Sequence, residues 1–296
     1  MRSAISLLMF MVLCSVSACA QDMSGNHSHN AAAASSPAST DTNVSQEWAK
    51  QRLAKSPRHQ EWVKIKNGTR EVNSFVVYPE NKDKATAVIV IHEIFGMSDW
   101  VQSLTDQLAE AGYVAIAPDL LSGMGPNGGG TSSLTGNAVG QAIQSLPPDQ
   151  ITGDLNAVAD YISKVPASNG KIVVTGYCWG GGQSFRYATN NPNLKAAFVF
   201  YGSAPASADG TPDKAALAKI TAPVYGFYAG NDARINATLP KTTEAMAELK
   251  KKYEPVTYEG AGHGFMRAGE APDANEANKK ARDEAWARWK KILDGI

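Results

Sequence analysis

Lys171 to Gly182 reads KIVVTGYCWGGG, and few backbone arrangements accommodate it. Ile172, Val173, Val174 and Thr175 are β-branched and mostly apolar, the pattern of a strand buried on both faces. Gly176 and Gly180 then bracket Cys178 in a G-x-C-x-G pattern, after which the chain reads as a helix. A strand that turns sharply into a helix around a nucleophilic side chain needs glycine on either side, because a neighbouring Cβ would clash. Such a turn lifts the sulfur above the sheet edge. It also aims the first helical N–H groups, beginning with that of Trp179, at the place where an oxyanion forms. The helix N-terminus adds partial positive charge, so a shift towards thiolate is expected.

The cysteine inventory sharpens that reading. Arg2 and the apolar run Ile5 to Val16, about a dozen residues, are too short for a bilayer span and suit an export signal over residues 1–20. Two cleavage readings overlap here. Val16-Ser17-Ala18-Cys19 looks like a lipobox that would leave Cys19 lipidated, whereas Ala18-Cys19-Ala20 is an A-x-A site that would release a soluble chain. Either reading puts the protein outside the cytoplasm, periplasmic or anchored in a bacterial envelope, with membrane contact only through that anchor. Cys178 is then the one thiol left in the mature fold, and no internal disulfide is expected. A lone thiol kept in an oxidising compartment points to chemistry.

Residues 21–45 are rich in Ala, Ser, Asn, Pro and Thr and read as a flexible tether. His27 and His29 lie in it as H-x-H without further ligands nearby, so a solvated linker is expected there rather than a metal site. Residues 46–296 read as one domain. Lys plus Arg and Asp plus Glu number 28 each, a balance that gives no reason to expect nucleic acid or an anionic membrane surface. A monomer is expected.

A short helix is expected from Ser45, as N-cap, to Leu53. A hairpin follows, Glu61 to Ile65 and Glu71 to Tyr78, turning at Asn67-Gly68. Strands at 87–91, 114–117, 171–177, 196–201, 223–228 and 255–258 then alternate with helices at 98–111, 149–165, 238–252 and 275–293. That alternation predicts an α/β fold with a mostly parallel central sheet and helices on both faces. Leu120 to Pro148 interrupts it, glycine-rich and without a single charged residue. A long loop at the carboxyl end of a strand reads as a lid or pocket wall, with Met124, Ser132, Ser133, Leu134, Thr135 and Val139 as its contacts.

A thiol nucleophile needs a base, and the base needs an orienting acid. His263, in Gly260-Ala261-Gly262-His263-Gly264-Phe265, follows the last strand and is the one histidine downstream of Cys178. Asp232, after the strand ending at Tyr228, supplies the acid. Cys178, Asp232, His263 is the chain order of an α/β-hydrolase triad.

His92-Glu93-Ile94-Phe95-Gly96, Ala117-Pro118-Asp119-Leu120, Gly176 to Gly181, Gly230-Asn231-Asp232 and Gly262 to Phe265 together resemble the dienelactone hydrolases (carboxymethylenebutenolidases) across residues 60–296. The resemblance implies an α/β-hydrolase fold, the triad Cys178, Asp232 and His263, and Glu93 as an extra carboxylate assisting deprotonation of the thiol. It further implies an oxyanion hole from the N–H groups of Ile94 and Trp179. His92 reads as a strand-end side chain. The family's type enzyme grips a substrate carboxylate with two arginines. Arg267 matches the second as a substrate-binding residue, but no arginine occurs between Arg70 and Arg186, where the first would lie. The expected activity is therefore a cysteine-dependent hydrolase of small-molecule esters or lactones working through a thioester, with neither metal nor organic cofactor. An esterase or thioesterase for other neutral esters, and a non-catalytic ligand-binding relative, are the alternatives.

Overall fold

The computed structural model describes residues 46–296 apart from Lys82. The expected signal and tether, with Cys19, His27 and His29, lie outside the described residues, as does the expected cap Ser45. Helix α1 (Glu47–Ala54) precedes the hairpin strands β1 (Gln60–Asn67) and β2 (Arg70–Val77). Then come β3 (Ala85–Ile91), α2 (Asp99–Glu110) and β4 (Val114–Pro118). The lid segment carries α3 (Ala138–Ser145) and runs into α4 (Pro148–Ile162). The central strands follow as β5 (Ser168–Tyr177), α5 (Trp179–Ala188), β6 (Ala196–Phe200), α6 (Lys214–Leu217) and β7 (Val224–Ala229). The last elements are α7 (Ala233–Asn236), α8 (Leu239–Glu248), β8 (Tyr253–Tyr258), α9 (Phe265–Ala268) and α10 (Glu276–Leu293).

One eight-stranded sheet runs β1-β2-β4-β3-β5-β6-β7-β8. The pairs β1–β2 and β2–β4 are antiparallel, and every pair from β4 to β8 is parallel. Alternate residues of each central strand feed opposite faces. Ile89, Ile91, Val174 and Val199 pack with α4 and α5, while Val88, Val90, Val173, Phe198 and Phe200 pack with α2 and α10. Each such fully buried side chain contributes about 1.5–3 kcal/mol of transfer free energy, so the sheet is held from both sides. The winding reverses at β3: the chain steps outward to β4, then crosses back to β5. Ligands of open α/β sheets bind in the crevice beyond the carboxyl ends of the strands at such a reversal. Here those ends carry Glu93 and Cys178.

Local boundaries depart from the sequence pattern in three places. The N-cap of α1 is Gln46, whose backbone N–H donates to Asp99 Oδ2 at 2.9 Å and whose side chain accepts from Trp100 N–H at 2.8 Å. The hairpin turn is Gly68-Thr69, not Asn67-Gly68, since Asn67 pairs with Arg70 in the ladder. Asn67 stays in the strand because its amide donates to Asp154 Oδ1 at 2.9 Å, and Gly68 supplies the left-handed φ of 60°. The lid is also less bare than its glycines suggest. Val139, Ile143 and Leu146 are buried in the core cluster beside α4, so α3 folds by burying one face. Leu134 packs against the same cluster and Met124 is exposed, so neither Val139 nor Leu134 stands as free pocket wall. The lid's first turn is tied to the sheet by Arg70, which donates to the carbonyls of Leu120 and Ser122 and pairs with Asp154.

Candidate active site

At the elbow the glycine requirement is geometric. A Cβ on Gly176 would lie 1.9 Å from the Gly180 carbonyl oxygen, and one on Gly180 would lie 2.4 Å from the carbonyls of Ile91 and His92. Cys178 itself sits at φ 57°, ψ −117°, a strained conformation for a side-chain-bearing residue, costing about 1–3 kcal/mol. Its N–H donates to the Phe200 carbonyl at 3.1 Å, and its own carbonyl accepts from Gly181 N–H at 3.0 Å, the first bond of α5. The parallel register pairs Ile91 with Gly176, so Glu93 and Cys178 each stand two residues beyond the last rung on adjacent strands.

The thiol does not follow the expectation of a favoured thiolate. Burial, and after it the negative charge of Glu93, push the Cys178 thiol up to about 11. The backbone N–H groups of Trp179 and Ile94 work in the opposite direction, as does the charge of Arg234. The helix N-terminus thus acts as foreseen but is outweighed. The same two N–H groups are the expected oxyanion donors.

His263 and Asp232 meet as the chain order requires. Asp232 Oδ2 lies 2.5 Å from His263 Nδ1, while its Oδ1 accepts from Ile235 N–H at 3.3 Å as the N-cap of α7. One carboxylate both starts a helix and orients the imidazole, which leaves Nε2 as the nitrogen free for proton transfer. The His263 loop is fixed from below. Gly262 N–H donates to Asn278 Oδ1 at 2.8 Å, Gly264 takes φ 78°, and the Tyr201 ring stands edge-on to the imidazole at 5.0 Å.

Glu93 is buried, its side chain 2 % exposed, and one oxygen accepts from Arg267 Nε at 2.7 Å. Arg267 lies over Phe95, with its guanidinium carbon 5.1 Å from the ring centroid. The arginine expected to meet substrate is therefore engaged by the carboxylate expected to serve the thiol. Two features of the site were not foreseen. Tyr201 follows β6 at φ 42°, is fully buried, and its hydroxyl has no hydrogen-bond partner among the described residues. Burial, then the charge of Glu93, hold its pKa well above the ordinary tyrosine value. Arg234, exposed two residues after Asp232, is the second. The one available signal was position, since both residues follow a strand at the sheet's carboxyl edge. His92 is more than a strand-end side chain. It is fully buried and stacks on Trp179 at 5.5 Å; its Nδ1–H donates to the Glu93 carbonyl at 2.8 Å, and Nε2 accepts from Leu120 N–H at 3.4 Å. That pattern needs the neutral imidazole, and burial lowers its pKa accordingly.

The sequence matches the dienelactone hydrolase family over residues 72–296. A protein of Salmonella typhi named "Putative carboxymethylenebutenolidase" is 31% identical over 223 residues, covering 74% of this chain and 80% of the relative. One of the same name from Saccharolobus solfataricus is 31% identical over 258 residues, covering 75% and 93%. Among solved structures, a "Putative Dienelactone Hydrolase" from Klebsiella pneumoniae superposes with a TM-score of 0.70 at 26% identity, covering 81% of this chain and 99% of that one. The chain belongs to the dienelactone hydrolase family and is a hydrolase of the α/β-hydrolase fold.

Proposed function

We propose that the chain hydrolyses carboxylic esters or lactones through a thioester on Cys178. What supports this reading is the strand-to-helix elbow that sets Cys178 at the start of α5 beside the carboxyl end of β3, where the backbone N–H groups of Ile94 and Trp179 favour the thiolate, together with an Asp232-held His263. Cys178 Sγ attacks the acyl carbon as its proton passes, by way of Glu93, to His263 Nε2. Charge developing on the carbonyl oxygen is taken by the two N–H groups, and the C–O bond to the alcohol breaks as His263 Nε2 returns a proton to it. Water then gives a proton to His263 and attacks the thioester. Its collapse releases the acid and restores the thiol.

A thiol at about 11 is almost wholly protonated near neutrality, so it must be deprotonated during the reaction. Glu93, adjacent to it and buried, assists by accepting that proton once its hold on Arg267 loosens and handing it on to His263. An acidic group on a substrate would compete with Glu93 for the guanidinium. With Arg267 neutralised by Glu93 and the lid uncharged, the pocket favours neutral or singly charged esters over compact lactone acids. The test is kcat/KM for matched neutral and acidic aryl esters and lactones on the parent and on Cys178→Ala. Loss of all turnover in the variant is expected, and undiminished turnover would end the proposal.

Export is proposed on residues 1–20 alone. Cys19→Ala should release an anchored protein into the soluble fraction; a parent already soluble after export would favour the A-x-A reading.

A further inference from the structure

The oxyanion donor Ile94 sits in a turn with little structure of its own, closed by Gly96 N–H donating to the Glu93 carbonyl at 3.1 Å. Something outside the turn must hold that N–H on the sulfur. At the entry His92 binds the Glu93 carbonyl. At the exit Met97 N–H donates to Oγ1 of Thr131, a lid residue 34 positions further along, at 3.1 Å. Thr131 is in turn aligned by Asp119 at the end of β4. Its hydroxyl donates to Asp119 Oδ1 at 2.7 Å and its N–H to Oδ2 at 2.8 Å. Leu121 N–H completes the set on Oδ1 at 3.1 Å.

Each member of this chain is buried, with Thr131 at 1 % and Asp119 at 5 % exposure, so water cannot substitute for a lost partner. A hydroxyl donating to a carboxylate is polarised into a better acceptor, which strengthens its bond to Met97. Glycine backbone also lies tight against both side chains. A Cβ on Gly96, at φ 68°, would lie 2.4 Å from Thr131 Oγ1, and one on Gly130 would lie 2.2 Å from Asp119 Oδ2. The two glycines thus leave room for the Thr131–Asp119 pair, Gly96 on the Thr131 side and Gly130 on the Asp119 side.

We propose that Thr131, set by Asp119, is a positioning residue through which the uncharged lid fixes the Ile94 N–H of the oxyanion hole. The inference rests on the proposed role of Ile94 and Trp179 at Cys178. It assigns part of the glycine-rich segment a task in the chemistry. It also explains why a hydroxyl is held between a carboxylate and a backbone amide in the middle of a glycine-rich segment.

The test is Thr131→Val, which keeps the shape and removes the hydroxyl, beside Thr131→Ser, which keeps it. Two readouts are taken: iodoacetamide alkylation of Cys178 against pH, followed on its peptide by mass spectrometry, and kcat and KM on an aryl ester. A misaligned Ile94 N–H should raise the thiol pKa. A rise of about one unit lowers thiolate tenfold and, after the gain in nucleophilicity, slows alkylation at pH 8 about threefold. With Thr131→Val, kcat should fall roughly ten- to a hundredfold, less than outright loss of an oxyanion donor, with KM within about twofold. Thr131→Ser should restore both. If Thr131→Val does not fold, Asp119→Asn removes one acceptor from Thr131 and should move both readouts the same way. A folded Thr131→Val or Asp119→Asn with the parent's alkylation profile and kcat overturns the proposal. Alkylation needs no ester turnover, so a shifted profile in a protein that cleaves no ester would retain the positioning role and remove the hydrolytic reading. Parent turnover that depends on Cys178 but ignores Thr131 would do the reverse.

Discussion

Replacing Glu93 by glutamine separates two effects that a loss-of-activity measurement would merge. The substitution keeps size and one acceptor oxygen for Arg267 while removing the charge that adds to burial in pushing the thiol to about 11. At pH 8 roughly one thiol in a thousand of the parent is ionised. Loss of the neighbouring carboxylate, with Arg267 left unneutralised, should lower the thiol pKa by about one unit or more. Thiolate then rises tenfold. The weaker nucleophile returns part of that gain, so alkylation by iodoacetamide at pH 8 should be about threefold faster than in the parent. Turnover should move the other way. If Glu93 takes the thiol proton during acylation, its loss should cost about a hundredfold in kcat, the lower range for a general base. The assay is Cys178 alkylation from pH 6 to 10 alongside steady-state kinetics on one aryl ester. Faster alkylation with slower turnover is the expected signature. A parallel fall of both would show that the carboxylate favours the thiolate, and no change in either would remove Glu93 from the mechanism.

Arg267→Met should leave Glu93 as an uncompensated buried charge and cost about 3–5 kcal/mol in denaturant unfolding, with Glu93→Gln/Arg267→Met recovering much of it. Equal losses in the single and double variants would show that the pair is not the cause. Cys178 also links stability to pH. Its folded pKa is raised above the ordinary 9, so the stability it contributes is complete below pH 9 and is lost as pH rises towards 11. Cys178→Ala should lessen the fall that begins near pH 9, below the ordinary tyrosine value of 10 at which the buried tyrosines begin to add to it; an unaltered slope between pH 9 and 10 would contradict the placement of the thiol.

The parts of the site that the sequence made legible are those fixed by local sterics and chain order. Gly176 and Gly180 can be read as an elbow because their neighbours leave no room for a Cβ. Asp232 and His263 each follow a strand, and the parallel order of the sheet brings those strand ends to one edge. The illegible parts depend on contacts distant in sequence. The Glu93–Arg267 pair spans 174 residues and has no local pattern. The direction of the thiol's pKa is decided by burial and by that same carboxylate, whereas the helix terminus alone argued the opposite. The lid helix did leave a trace in Val139, Ile143 and Leu146 at helical spacing, obscured by the glycines around it. The Asn67-Gly68 pattern puts the turn one residue early, because the bond from Asn67 to Asp154, 87 positions away, holds Asn67 in the strand.

The central claim is that the acyl group passes through Cys178. The direct measurement is rapid acid quenching of the protein during turnover of an aryl acetate, followed by mass spectrometry of the peptide containing Cys178. One acetyl group is expected on that cysteine, removed by neutral hydroxylamine as a thioester is, and accumulating when His263→Ala slows deacylation more than acylation. An acetyl group on any other residue, or turnover at the parent rate by Cys178→Ala, would contradict the account.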